Sequence, residues 1–278
     1  MVVILMVLLG LVGSRAAVGE GVPCYGQGCE DGTFDPFRLW SGYARQSVDA
    51  SVEALAFSNT QKWQQRHRIF LSKAPVYLDD DWDSRIRLPS PPDDTSLRTQ
   101  AELEYLLMLQ EKRDQAAVKQ LRLEVVTNNF TFGPYSYAVL TSSQLPLTRR
   151  MFESAMDDFA VVVFSLKSSF DRVRPSFLDG SVHPPITVPA HPSYPSAHAG
   201  QSYMIVFLLE ELGISRPLIE QCAKDACLIS KRREMGGLHY PSDTAAGVLV
   251  ARQFVDVLLQ NPDFVTLLDN AKAEWPTR

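Results

Sequence analysis

Apolar residues recur at helical intervals through most of the chain, and no strand-like series of alternating positions is present. From about Leu147 to Arg172, the positions Phe152, Ala155, Met156, Phe159, Val163 and Leu166 fall on one side of a helix. Residues 197–212, 216–234 and 240–260 predict three more helices. A short one over 262–273 opens with Asn261-Pro262, a cap followed by a first-turn proline. Upstream, 97–120 is rich in Leu, Glu, Gln and Ala and predicts one long helix, while 40–57 and 60–73 have helical character. The proline-rich stretch Lys73–Pro92, with its acidic run Asp79-Asp80-Asp81-Trp82-Asp83, reads as loop, and 176–195 as irregular chain. A short extended piece is expected within 125–137. These elements predict an all-α fold whose C-terminal two-thirds form a compact helical bundle.

Composition narrows the picture. The 278 residues are 45% hydrophobic and 21% charged, enough for one good-sized core with an N-terminal extension. A net charge of −5, with no long basic patch, gives no reason to expect a nucleic-acid partner. The run Met1–Val12 is too short to span a membrane, which takes roughly 20 apolar residues. Its small-residue exit at Ala16, Ala17 and Gly19 predicts a secretory signal peptide over 1–19. The apolar stretch 203–209 runs into Glu210-Glu211, and 244–259 contains Arg252 and Asp256, so these helices are expected to be buried in protein rather than lipid.

Four cysteines, Cys24, Cys29, Cys222 and Cys227, permit two disulfides in an exported chain. Cys24 and Cys29 lie in a Gly-rich loop that could close on itself. Cys222 and Cys227 sit five apart in a helix, facing away from each other, and the plain alternative is two buried thiols. One glycosylation sequon stands at Asn129-Phe130-Thr131.

Three segments concentrate unusual polar residues. The first runs from Lys167 to Arg174-Pro175. Lys167 and Arg174 read most simply as a solvated face, but seven residues are two helical turns, and a pair of cations on one face suits a phosphate. The second is Tyr194-Pro195-Ser196-Ala197-His198. Ser196 reads as an N-cap, and a helix starting at 197 also leaves first-turn N–H groups free for an anion. The third runs from Arg233 through His239 to Asp243. At i and i+4 the carboxylate can hold the imidazole Nδ1–H and leave Nε2 free, as a nucleophilic or basic histidine needs.

Taken in order, Lys-x6-Arg-Pro, Pro-Ser-x-His and Arg-x5-His-x3-Asp resemble the three-part signature of the superfamily joining type 2 phosphatidic acid phosphatases, bacterial class A acid phosphatases and vanadium haloperoxidases. The chain looks most like the soluble class A acid phosphatases. Pro89–Gln110 and the tail from Gln260 to Glu274 are similar to that group's entry and closing segments, so the resemblance covers about 88–275. It implies a phosphatase-type helical domain over 88–278 after an extension over 20–87 that has no recognised counterpart.

The resemblance implies that His239 is the nucleophile and forms a phosphohistidine, that Asp243 orients it, and that His198 protonates the leaving alcohol and then activates water. Lys167, Arg174, Ser196, Ala197 and Arg233 would hold the phosphoryl oxygens, with no cofactor and no metal. The implied partner is a small phosphomonoester, without nucleic acid or membrane insertion after signal removal, and a homo-oligomer is compatible with it. The implied location is secreted, periplasmic or in the secretory lumen. A vanadium-dependent haloperoxidase would use the same residues, with His239 ligating vanadate, and a non-catalytic phosphate- or vanadate-binding protein is the third reading. Two positions depart from the family pattern: Ala197 replaces the usual Gly, and Arg232 the usual Ser. The pocket walls are expected from 176–194, including His183 and His191, and from 20–87.

Overall fold

The computed structural model describes residues 55–126 and 142–275, and its regular elements there are helices. They are α1 (Phe57–Thr60), α2 (Gln65–Arg68), α3 (Trp82–Arg85), α4 (Leu97–Glu111), α5 (Gln115–Val126), α6 (Pro146–Phe170), α7 (Pro175–Leu178), α8 (Ala197–Leu212), α9 (Arg216–Met235), α10 (Pro241–Leu258) and α11 (Pro262–Lys272). A 3₁₀ turn, Ile69–Leu71, follows α2, and one isolated bridge joins Ala56 to Arg172. The all-α expectation holds among the described residues. No described helix is long and apolar enough to cross a membrane. The signal segment, Cys24, Cys29, the sequon and most of 40–57 and 125–137 lie outside the described residues.

Helix α8 is the hub. Met204, Ile205, Val206, Phe207, Leu208 and Leu209 are all buried, so it is apolar all round, as a central helix must be. It packs chiefly on α10 and α9, while α6 packs on α11. Phe159 of α6 meets Phe254 of α10 edge-on at 5.2 Å within the common core. The 55–87 segment rests on this bundle: Phe57, Leu78 and Ile86 are buried, and Asp158 accepts from the Val76 and Tyr77 amides at 2.8 and 2.7 Å.

Local chemistry corrects several boundaries. The single helix expected over 97–120 is two helices, because Asp114 accepts from Ala117 N–H at 2.7 Å and starts α5. Arg113, in the break, donates to the carbonyls of Met235 and His183 and ties the turn to α9 and the 180s loop. Val125 and Val126 close α5 instead of starting an extended piece. The loop over 73–92 holds the single-turn α3, the irregular stretch after 175 begins with α7, and within 60–73 helix covers Gln65–Leu71 and the last residue of α1, Thr60. Helix α6 ends at Phe170, because Asp171 turns left-handed at φ 47°. Asp tolerates that region better than most residues. In α9, Cys227 is disulfide-bonded while Cys222 is a buried thiol outside that bond, so the reading as two thiols is corrected at Cys227.

The crossing of α8 and α10 is set by two glycines. A Cβ on Gly200 would meet the Phe159 ring at 2.5 Å and the Gly247 carbonyl at 3.0 Å. A Cβ on Gly247 would press on the Ser196 carbonyl and lie 3.1 Å from Gly200 N. Backbone therefore lies on backbone where the second and third sequence motifs meet, and Ser196 N–H donates to the Asp243 carbonyl at 2.8 Å. Gly247→Ala is expected to cost about 2–3 kcal/mol by overpacking. It should also lower activity more than an equally destabilising change in α11, measured as thermal midpoint and turnover on the same preparations.

Candidate active site

The three motif segments converge below a cavity of about 460 Å³. His198, Arg233, Ala197 and His191 line it, whereas Lys167, Arg174, Ser196, His239 and Asp243 are buried and are not among its lining residues. Lys167 and Arg174 do meet, but not by helical spacing. The left-handed Asp171 ends α6, and Arg174 stands at the N-cap of α7 after the chain has turned.

Both cations are fully buried and are held by neutral acceptors. Lys167 Nζ donates to the carbonyls of Pro192 and Ser193 at 2.8 and 2.9 Å. Arg174 donates to the carbonyls of His191 and Leu238 at 3.1 and 2.7 Å and contacts both His239 Nε2 and His191 Nδ1 at 3.1 Å. Among the described residues neither forms a direct ion pair with a carboxylate. Burial, reinforced by Arg174, pulls Lys167 well below its ordinary value. Burial likewise brings Arg174 down to about 10, with Asp243 opposing and Arg233 reinforcing. Buried positive charge with only neutral partners is the electrostatic form of an anion site.

Guanidinium can only donate, so the Arg174 contact assigns His239 Nε2 as an acceptor and places the proton on Nδ1. Nδ1–H then donates to Asp243 Oδ2 at 3.1 Å. This pairing arises from helix capping rather than from one helix face. His239 precedes α10, and Asp243, three residues into it, also accepts the Tyr240 N–H at 3.0 Å. Gly237, at φ 63°, supplies the left-handed turn that carries the chain from α9 back to His239. Burial, then Arg174, lowers His239 to about 3 against the support of Asp243. For Asp243, burial acts upward, but Arg172, His239 and Lys167 outweigh it and hold the carboxyl well below its usual range.

The same donor rule makes His191 Nδ1 an acceptor from Arg174, so its 3.2 Å approach to the Pro192 carbonyl is not a hydrogen bond. His198 Nε2 lies 3.3 Å from the Glu124 carbonyl, which makes Nε2 the protonated nitrogen. Burial, then Arg233 and His239, pushes His198 well below its ordinary value. Ser196 caps α8 by accepting from Ala199 N–H at 3.4 Å, the plain reading of that residue. The first-turn amides beside it remain a general anion site. Ala197 is helical with no positive φ, so the replacement of Gly is unstrained. His183 is exposed and lies off the cavity.

Several participants were not singled out from sequence. Arg172 donates to Asp243 Oδ1 and to Ser242 Oγ, both at 2.7 Å, and its guanidinium lies 3.8 Å over the Tyr240 ring. Glu102 of α4 accepts the Ser242 N–H at 2.9 Å and hydroxyl at 2.8 Å and lies 3.4 Å from Arg172. Glu124 of α5, also buried, pairs with Arg232 and Arg233. His67, from the segment without a recognised counterpart, lines the cavity, stacks on Phe164 at 5.2 Å and meets His191 edge-on at 4.7 Å. The available signal was register: Glu102 shares a helix face with buried Leu106 and Leu109, and Glu124 shares one with Val118 and Leu121.

Over 204 residues the chain is 28% identical to a non-specific acid phosphatase of Providencia stuartii, a match covering 69% of this chain and 81% of that protein. No protein-family model matches the chain. In fold it is similar to the crystal structure of the first bacterial vanadium-dependent iodoperoxidase, with TM-score 0.51 and 17% identity over 81% of this chain. The chain spans 63% of that protein, less than two thirds of its length. These likenesses, with the three motif segments gathered at one site, support the superfamily that joins type 2 phosphatidic acid phosphatases, class A acid phosphatases and vanadium haloperoxidases. Within it, the sequence likeness is to an acid phosphatase.

Electrostatics generates a test. The unfolded chain protonates His239 below about pH 6.5, whereas the folded chain resists until about pH 3. Its contribution is therefore full above about pH 6.5 and is lost as pH falls toward the folded value. His67, lowered to about 4 mainly by burial and then by Arg66, acts in the same direction at a more exposed position. The thermal midpoint should fall between about pH 6.5 and 4. Added phosphate should restore part of the loss, because an oxyanion offsets the buried positive charge. A midpoint indifferent to phosphate throughout that range would refute the anion-site assignment.

Proposed function

We propose that this chain is a secreted acid phosphatase that hydrolyses phosphomonoesters through a phosphohistidine at His239. The observation that carries the reading is His239 itself: Nδ1–H is held by Asp243, and the Nε2 lone pair is turned toward Arg174 amid three buried cations. The phosphoryl group would be held by Lys167, Arg174, Arg233 and the first turn of α8, beginning at Ser196-Ala197. Positive charge around the equatorial oxygens is what phosphoryl transfer requires.

In the first step Nε2 attacks phosphorus and the ester P–O bond breaks, while His198 gives its proton to the leaving alkoxide. In the second, water attacks phosphorus, its proton passes to His198 and the N–P bond breaks. At rest both histidines are held neutral by burial and neighbouring cations. The substrate's negative charge reverses this for His198, since a nearby anion favours imidazolium. Asp243 keeps the His239 proton on Nδ1, so the two imidazoles take opposite roles, and an optimum on the acid side of neutrality is expected. Secretion is supported by the apolar leader with its small-residue exit, and by the disulfide at Cys227, a bond typical of oxidising compartments.

A vanadium haloperoxidase is the competing use of the same oxyanion-shaped site. The buried Arg233 Nε has no hydrogen-bond partner among the described residues, and the site's cations suit vanadate as well as phosphate. Bound vanadate would supply a centre at which peroxide oxidises halide, held by His239 and the same cations. p-Nitrophenyl phosphate hydrolysis, measured beside halide oxidation with peroxide and added vanadate, decides between the two. Phosphatase turnover with competitive vanadate inhibition is expected, and halide oxidation without phosphatase turnover would reverse the reading. Binding of either oxyanion without turnover would leave a binding protein.

His239→Ala should reduce kcat by at least about 10⁴-fold and remove any acid-trapped phosphoenzyme. His198→Ala should slow alkyl phosphates by about 100- to 10,000-fold, and nitrophenyl phosphate much less, since its leaving group needs no proton. Equal losses on the two esters would refute the acid role.

A further inference from the structure

Glu124 is the one carboxylate built into the cavity wall against the candidate phosphate cations among the described residues. Its side chain is fully buried and pairs on one oxygen with Arg233 and on the other with Arg232. Its own carbonyl meets His198 Nε2. Arg233 Nη2 is committed to this carboxylate and to the Leu121 carbonyl at 3.0 Å, while Arg233 Nε, equally buried, has no partner among the described residues. Arg233 is thus divided between an internal anion and a donor left open. Arg232, a bulky cation at a motif position where a small hydroxyl is usual, is the counterpart of Glu124 and remains partly exposed.

The geometry points to Glu124 as an internal competitor for Arg233 that holds the site's affinity for phosphate down, with Arg232 tempering that competition. This rests on the oxyanion reading of the site given above. A full negative charge beside Arg233 opposes an incoming phosphate dianion, and the opposition is strong because the site is buried. Arg232 draws on the same carboxylate and lessens its hold on Arg233. The pair therefore acts as a specificity and release device. A phosphatase must let inorganic phosphate go, and affinity shared equally by ester and product slows release without aiding chemistry.

The test uses the full chain and two charge-removing changes, the isosteric Glu124→Gln and the shorter Arg232→Gln. The amide still accepts from Arg233, so Glu124→Gln removes charge while keeping the contact. Calorimetric titration with inorganic phosphate and with orthovanadate should show about five- to tenfold tighter binding in Glu124→Gln. KM for p-nitrophenyl phosphate and the phosphate Ki should fall together without a rise in kcat. Arg232→Gln should weaken phosphate binding by a similar factor, and the double variant should bind as tightly as Glu124→Gln, because Arg232 acts through that carboxylate. If Glu124 only braces Arg233, all three variants bind phosphate more weakly and lose thermal stability in step, which overturns the proposal. Should Glu124→Gln fail to fold, Arg232→Gln still decides, because unchanged or tighter binding there overturns it as well. A parent chain that binds neither oxyanion overturns the functional reading itself. A parent that binds phosphate, with Glu124→Gln unchanged, overturns only the role of Glu124.

Discussion

Two positive charges, on Lys167 and Arg174, sit in the interior, hydrogen-bonded among the described residues to carbonyls and imidazoles. Burying a charge without compensation is costly, and the rest of the site is arranged to meet that cost. The proline-rich chain around 191–193 contributes three carbonyls in succession, a geometry that a helix, with its carbonyls committed to its own hydrogen bonds, could not supply. Leu238 adds another carbonyl from the turn before α10. Asp243, held by Arg172 rather than by Lys167 or Arg174, balances the field without pairing with either. The cations are therefore solvated by protein but not neutralised by it.

Asp243 is where this arrangement meets the fold. One oxygen orders His239 and caps α10, and the other is taken by Arg172 just past the end of α6. Its backbone carbonyl receives the Ser196 amide at the start of α8. Glu102 of α4 closes the circuit through Ser242 and Arg172. A single residue thus fixes three helix ends, two through its carboxylate and one through its backbone carbonyl. Because each contact is buried and partnered, the network also rigidifies the His239 ring.

Much of this was legible in the sequence, for identifiable reasons. The helices of the C-terminal bundle followed from apolar periodicity and from first-turn prolines, as at Pro241 and Pro262. The seven polar site residues followed from motif spacing, although the inferred geometry was wrong for Lys167 and Arg174, since a left-handed Asp171 cannot be told from a helical Asp by periodicity alone. The break at Lys112–Asp114 was hidden because its residues are good helix formers until Asp114 finds an amide to cap. Glu102 and Glu124 were missed because charged residues in a Glu- and Gln-rich helix look like a solvated face. Only their register with Leu106 and Leu121 betrays burial, and their cationic partners lie about 70 and 109 residues away.

The glycine contact between α8 and α10 separates the molecule into parts with different freedom to change. Beneath the cavity, Gly200 and Gly247 bring backbone against backbone, and any added atom displaces the motif residues themselves. His67, Phe70, Val125 and Met156, which also line the cavity, come from other segments. Substitutions in the cavity wall at those positions are therefore expected to be tolerated better than substitutions at the helix crossing. The second and third motif segments are thereby coupled through their backbones and cannot be shifted one at a time.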